Sequence, residues 1–126
     1  MGQDERTWKY KDFYDRQLAF IAKNDVEGLI HNQYTDDAEL LNFNVYIKGA
    51  PALIEYFKGY IASLGYIKLL STDKYTEGDD SMFFESTVET AGGIAKVYDV
   101  FVMRGGKIWR HYPGLLGFTP NPTPAS

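Results

Sequence analysis

The sequence predicts an α+β domain in which three helices of the N-terminal half pack on a curved antiparallel sheet that encloses a pocket. Three observations lead there. Residues 7–24, 26–34 and 51–64 set apolar side chains at three- and four-residue spacing, the repeat of one helix face. After Gly65 the repeat shortens to two, in four runs parted by turns rich in Gly and Asp. Helices kept apart from sequential strands in this way cover one face of the sheet, and a curved sheet wrapped on a long helix leaves a cone-shaped hollow.

Each element has its own signal. The first helix, "TWKYKDFYDRQLAFIAKN", carries Trp8, Tyr10, Phe13, Tyr14, Gln17, Phe20 and Ile21 on one stripe. Asn24-Asp25 punctuates it, and Asp25 can cap the second helix, "VEGLIHNQY". "AELLNFNVYI" reads as extended, and Gly49-Ala50-Pro51 opens the third helix, since proline suits a first turn. Four strands follow, "YIKLLSTDKYTEG", "SMFFESTVETAGG", "IAKVYDVFVMRGG" and "KIWRHYPGLLG". The tail 119–126, "TPNPTPAS", is proline-rich and reads as disordered, so the single domain spans 1–118.

Composition narrows the function. A chain of 126 residues with 44% hydrophobic residues buries one core without staples. Ten tyrosines and eight phenylalanines suit a large core or an apolar cavity. The net charge of −4 and the lack of a basic run argue against nucleic acid or a membrane surface as partner. With no cysteine there are no disulfides, thiolate metal ligands or cysteine nucleophiles. The N-terminus lacks the apolar segment of a signal peptide and no run reaches membrane-spanning length, so a cytoplasmic protein is expected.

The stretch "KVYDVFVMRGGKIWRHY" holds the main chemical clue. Asp99 interrupts a strong strand, and a buried carboxylate is costly unless it is paired. A two-residue turn at Gly92-Gly93 sets Ser86 across from Asp99 and Phe84 across from Phe101, with Glu89 facing Lys96 on the other side of the sheet. A three-residue loop at 104–106 then sets Asp99 across from His111 and Phe101 across from Trp109. One face therefore carries Phe84, Ser86, Val88, Val97, Asp99, Phe101, Trp109 and His111.

In this order and at these spacings, "YTDDAELLNF", "KGAPALIEYFKGYI" and "YDVFVMRGGKIWRHY" resemble the NTF2-like superfamily over residues 8–116, and its SnoaL-like and ketosteroid-isomerase-like members most of all. The resemblance implies a cone-shaped α+β barrel, a homodimer formed through the outer sheet face, and cofactor-free chemistry on cyclic or polyketide-like ketones, epoxides or alcohols. It sets Asp99 on the strand acid that donates to an oxyanion in ketosteroid isomerases. Asn42 falls where their base stands, and Gln17, one turn from Tyr14, falls on or near their tyrosine. These departures speak against a steroid-type isomerase, and His111 on the last strand fits SnoaL-like cyclases better.

Asp99 and His111 are thus the catalytic candidates, as a proton-transfer dyad. The competing view is a structural aspartate bonded to His111 or Tyr14. Tyr14, Gln17 and Asn42 are candidates to orient a polar group. Phe57, Phe84, Ser86, Phe101 and Trp109 are candidates to line the pocket, although such aromatics are more often plain core. His31 reads as surface. Asp36-Asp37 is no metal site, since neighbouring strand residues point to opposite faces. No cofactor is implied. The expected partner is a small apolar ligand, and the chemistry is isomerisation, aldol-type cyclisation or dehydration. A non-catalytic ligand-binding module and a dimeric interaction domain are the rival readings.

Overall fold

A computed structural model describes residues 8–122. The elements are α1 (Lys11–Ala22), α2 (Val26–Gln33), β1 (Tyr34–Leu41), β2 (Tyr46–Lys48), α3 (Ala50–Leu64), β3 (Lys68–Glu77), β4 (Ser81–Thr90), β5 (Gly93–Arg104) and β6 (Lys107–Pro120). Helix α1 begins later than its apolar stripe. The residues before it are strapped to the β3–β4 corner, where Lys9 N donates to Glu77 Oε1 at 2.6 Å and the Tyr10 hydroxyl donates to Asp79 O at 2.8 Å. Trp8 stacks on Tyr75 there, with ring centroids 3.7 Å apart. Asp25 caps α2 by accepting from Gly28 N at 3.0 Å. Gly49 precedes α3 at φ +92°, a conformation open to glycine, and Pro51 lies in the first turn.

The six strands form one sheet in the order β2-β1-β6-β5-β4-β3. β1 runs parallel to β6 and every other pairing is antiparallel. The sheet is therefore mixed, where the sequence had suggested a purely antiparallel one. It also stays open, with β2 and β3 as its edges. The three helices cover its concave face. The core between them holds Phe13, Leu29, Ile30, Leu53, Met82 and Ile108, each at most 5% exposed.

The registers differ from those expected. The β4–β5 turn is Ala91-Gly92, one residue earlier than read, because Thr90 already pairs with Gly93. Phe84 thus faces Asp99, Ser86 faces Val97, and Thr87 rather than Glu89 faces Lys96. The slip is two residues along the partner strand, so each side chain keeps its expected face. The β5–β6 hairpin turns on Gly105-Gly106 alone, and the extra residue appears further on as a bulge. Met103 pairs with Ile108 but Val102 pairs with Arg110, leaving Trp109 unpaired between them. Phe101 then faces His111, and Asp99 faces Pro113.

The bulge corrects one placement. Ile108 fills the inner position, fully buried. Trp109 instead packs against two guanidinium groups, Arg110 at 3.8 Å and Arg104 at 5.1 Å from its ring centroid. The tail differs as well. Thr119 and Pro120 pair with Ile94 and Gly93 as part of β6, so the strand runs past 118, and residues 123–126 lie outside those described. No helix among the described residues is long and apolar enough to cross a membrane.

Candidate active site

The midpoint of β5 delivers Asp99 to the concave face, and the last strand delivers His111 beside it. They sit on a cross-strand diagonal, close enough for direct contact. His111 Nε2 lies 2.7 Å from Asp99 Oδ1. The other ring nitrogen, Nδ1, lies 3.0 Å from the hydroxyl of Tyr34, the first residue of β1. Gln17 of α1 donates through Nε2 to that hydroxyl at 3.2 Å. Gln33, the last residue of α2, donates through Nε2 to Gln17 Oε1 at 3.4 Å and to the Phe13 carbonyl at 3.0 Å. Five side chains from α1, α2, β1, β5 and β6 so form one continuous line of hydrogen bonds.

Burial is graded along this line. Gln33 and Tyr34 are 1% exposed and Gln17 and His111 are 4% exposed. The Asp99 side chain, at the end, is 21% exposed. Aromatic rings wall the imidazole. Phe101 meets it edge-on with centroids 4.7 Å apart, and Phe57 of α3 lies nearly parallel to it at 6.2 Å. Burial, helped by the negative charge of Asp99, holds the Tyr34 phenol far above its ordinary value against the opposing donor from Gln17. The same charge reaches the phenols of Tyr14 and Tyr60, which burial raises first and Asp99 raises further.

Of the ten residues singled out in the sequence, the fold joins Asp99 and His111 directly and links Gln17 to them through Tyr34, with Phe57 and Phe101 around the imidazole. Phe84 is buried one layer away, packed on Phe101 and Tyr14 with centroids 5.3 and 4.9 Å distant. Ser86 is buried on the same face, across from Val97. Tyr14 shares a hydrogen bond of 2.5 Å with Thr72 on β3 and is not part of the line. Asn42 is committed elsewhere. Its Nδ2 donates to Pro113 O at 3.2 Å, and its Oδ1 accepts from Asn44 N at 2.8 Å and Val45 N at 3.1 Å, closing the β1–β2 turn. Trp109 lies off the site for the reason given above.

Tyr34 and Gln33 were missed. The apolar repeat of α2 runs straight into Tyr34, which hides the change to strand there. Gln33 is polar on a buried face, a position that periodicity assigns to solvent. The alternation of buried residues at Tyr34, Ala38 and Leu40 is the signal that would have opened the strand earlier.

Two clefts, of about 310 Å³ beside Tyr75 and Phe83 and about 290 Å³ beside Val26 and Ile61, do not reach Asp99 or His111. The Asp99 side chain is partly exposed on the concave face. The cross-strand pair Val97 and Leu115 continues that face outward, Leu115 being 65% exposed. On α3, Tyr56 and Tyr60 lie nearly parallel, 5.9 Å apart.

Chemically, the line ends in a carboxylate that is backed by a hydrogen-bond donor on one oxygen and within reach of solvent. Such a group can accept and return a proton beside an apolar rim. Among the described residues, no group of three His, Asp or Glu side chains is placed to hold a metal ion.

Solved structures share this architecture. An NTF2-like protein from Anabaena variabilis superposes with a TM-score of 0.75 at 19% identity, over 93% of this chain and 95% of the other. The chain has the NTF2-like fold. A protein from Sinorhizobium meliloti assigned as a polyketide cyclase matches with a TM-score of 0.70 at 16% identity, over 82% of this chain and 94% of the other. A ketosteroid-isomerase-like protein from Catenulispora acidiphila, solved with trimethylamine, matches with a TM-score of 0.69 at 11% identity, over 82% of this chain and 85% of the other. No family model and no curated protein matches the chain.

Proposed function

We propose that this NTF2-like protein is a small cofactor-independent enzyme that moves a proton on a compact apolar carbonyl or hydroxyl compound. Isomerisation, aldol-type cyclisation and dehydration all need that step. The observation that carries the reading is the Asp99–His111 contact at the partly open end of an otherwise buried polar line. A carboxylate kept in mid-strand, backed by imidazole and with the Val97–Leu115 pair next along its face, has a clear use if it exchanges a proton with a ligand seated there. The cyclase and isomerase-like neighbours support the reaction class. A homodimer through the outer sheet face and a cytoplasmic location go with the proposal. Phe83 and Tyr98 support the dimer, as apolar neighbours on that face with ring centroids 6.2 Å apart.

The test is a screen of small cyclic ketones and hydroxyketones for binding by calorimetry, followed by turnover of each ligand found. Asp99→Asn keeps the shape of the site and should lower kcat by about 100-fold or more, with a small effect on KM. Unchanged turnover in this variant would sink the proposal. Ligands that bind the wild type and are recovered unaltered would favour the second reading, a non-catalytic binding protein. That reading draws on Asn42, whose side chain is spent on the β1–β2 turn and supplies no second base.

A further inference from the structure

We infer that His111 serves Asp99 as a neutral hydrogen-bond donor, and that the amides of Gln17 and Gln33 fix where its proton sits. The inference deepens the reading above and rests on Asp99 being the carboxylate that meets the ligand. It reverses the roles usual for such a pair, making His111 a positioning residue and Asp99 the base.

The direction of the hydrogen bonds follows from one group that cannot donate. The Phe13 carbonyl is acceptor only, so Gln33 must present its NH₂ to it, at 3.0 Å. The same NH₂ meets Gln17 at 3.4 Å, so Gln17 must present its carbonyl oxygen there. That turns the Gln17 NH₂ toward the Tyr34 oxygen at 3.2 Å. The buried Tyr34 hydroxyl then gives its own hydrogen to His111 Nδ1 at 3.0 Å. A nitrogen that accepts carries no proton, so the imidazole proton sits on Nε2 and points at Asp99 Oδ1, 2.7 Å away.

Geometry and access agree with this polarity. Both ring nitrogens are occupied and the imidazole is buried, so it has no free atom to offer a ligand. Asp99 keeps its second oxygen and part of its surface. Protonating Nδ1 would leave the Tyr34 hydroxyl hydrogen without an acceptor inside the core. The groups facing the ring are Asp99 from β5 and Tyr34 from β1, with Phe57 of α3 and Phe101 of β5 covering its faces. A neutral partner leaves Asp99 a better proton acceptor than a histidinium would.

The experiment is ¹⁵N NMR of the histidine side chains at pH 8, which needs neither substrate nor turnover. The wild type should show His111 with a bare, hydrogen-bonded Nδ1 and a protonated Nε2. Gln17→Glu swaps the NH₂ facing Tyr34 for a carboxylate oxygen. The Tyr34 hydroxyl then donates to Glu, its oxygen accepts from Nδ1, and His111 should become doubly protonated at a pH where the wild type is not. Tyr34→Phe, milder for folding, should leave Nε2 protonated and move the Nδ1 resonance toward that of an unbonded imidazole nitrogen. A protonated Nδ1 in the wild type or an unmoved Nδ1 in Tyr34→Phe would overturn the inference. Loss of turnover in Asp99→Asn with these signatures absent would leave the enzyme reading standing without it.

Discussion

Replacing Tyr34 with phenylalanine removes one oxygen atom and orphans two buried groups. The Tyr34 hydroxyl is the acceptor for Gln17 Nε2 and the partner of His111 Nδ1, at 3.2 and 3.0 Å. Both neighbours are 4% exposed, so water is poorly placed to replace it. A buried donor or acceptor left alone costs about 1–3 kcal/mol. Partial relaxation and the end of hydroxyl burial offset some of this, so a net loss of about 2–3 kcal/mol is expected. Against a total stability of about 5–15 kcal/mol that is a large fraction. For a domain of this size it corresponds to a fall in Tm of roughly 8–12 °C. Urea unfolding followed by far-UV circular dichroism reads the effect as a lower midpoint at unchanged slope. A loss below about 0.5 kcal/mol would refute the reasoning, because it would mean that the amide and imidazole find other partners and the line is not a unit.

Two further outcomes follow from the same geometry. The folded Tyr34 phenol is held above its unfolded value near 10, so its contribution to stability is full below pH 10 and is lost as the pH rises beyond it. Absorbance at alkaline pH should therefore show a class of tyrosines that ionises only together with loss of the circular dichroism signal, and smooth titration of all ten in the folded protein would contradict this. The bulge at Trp109 sets a contrast with Phe101. Phe101→Ala, inside the core, should cost about 3–5 kcal/mol, and Trp109→Ala, packed on arginines, roughly 1 kcal/mol in the same unfolding assay. Equal losses would place Trp109 back in the core.

Much of this molecule was legible in the sequence because hydrophobic period reports local structure directly. The three helices, the strand runs after Gly65 and the concave placement of Asp99 came from it. The last survived a register error because slips by two residues conserve the face. What period does not report is where an odd residue enters a ladder. The turns at Ala91-Gly92 and Gly105-Gly106 each admit alternatives of similar cost, and only packing of Ile108 under the helices decides that Trp109 bulges outward. The parallel pairing of β1 with β6 is equally silent, since it joins segments 70 residues apart or more. The Asp99–His111 contact was readable from two chemically unusual residues on adjacent strands. Its continuation through Tyr34, Gln17 and Gln33 was not, because buried glutamines look like surface until their partners from other elements arrive.

The central claim is that Asp99 exchanges a proton with a bound ligand. It is tested most directly by incubating the protein in deuterium oxide with a ketone that binds, and following loss of the proton next to the carbonyl by NMR. The wild type should catalyse the exchange, and Asp99→Asn should bind the same ketone with exchange slowed about 100-fold or more. Exchange at equal rates in the two proteins would place the chemistry elsewhere, and binding with no exchange in the wild type would leave a ligand carrier in place of an enzyme.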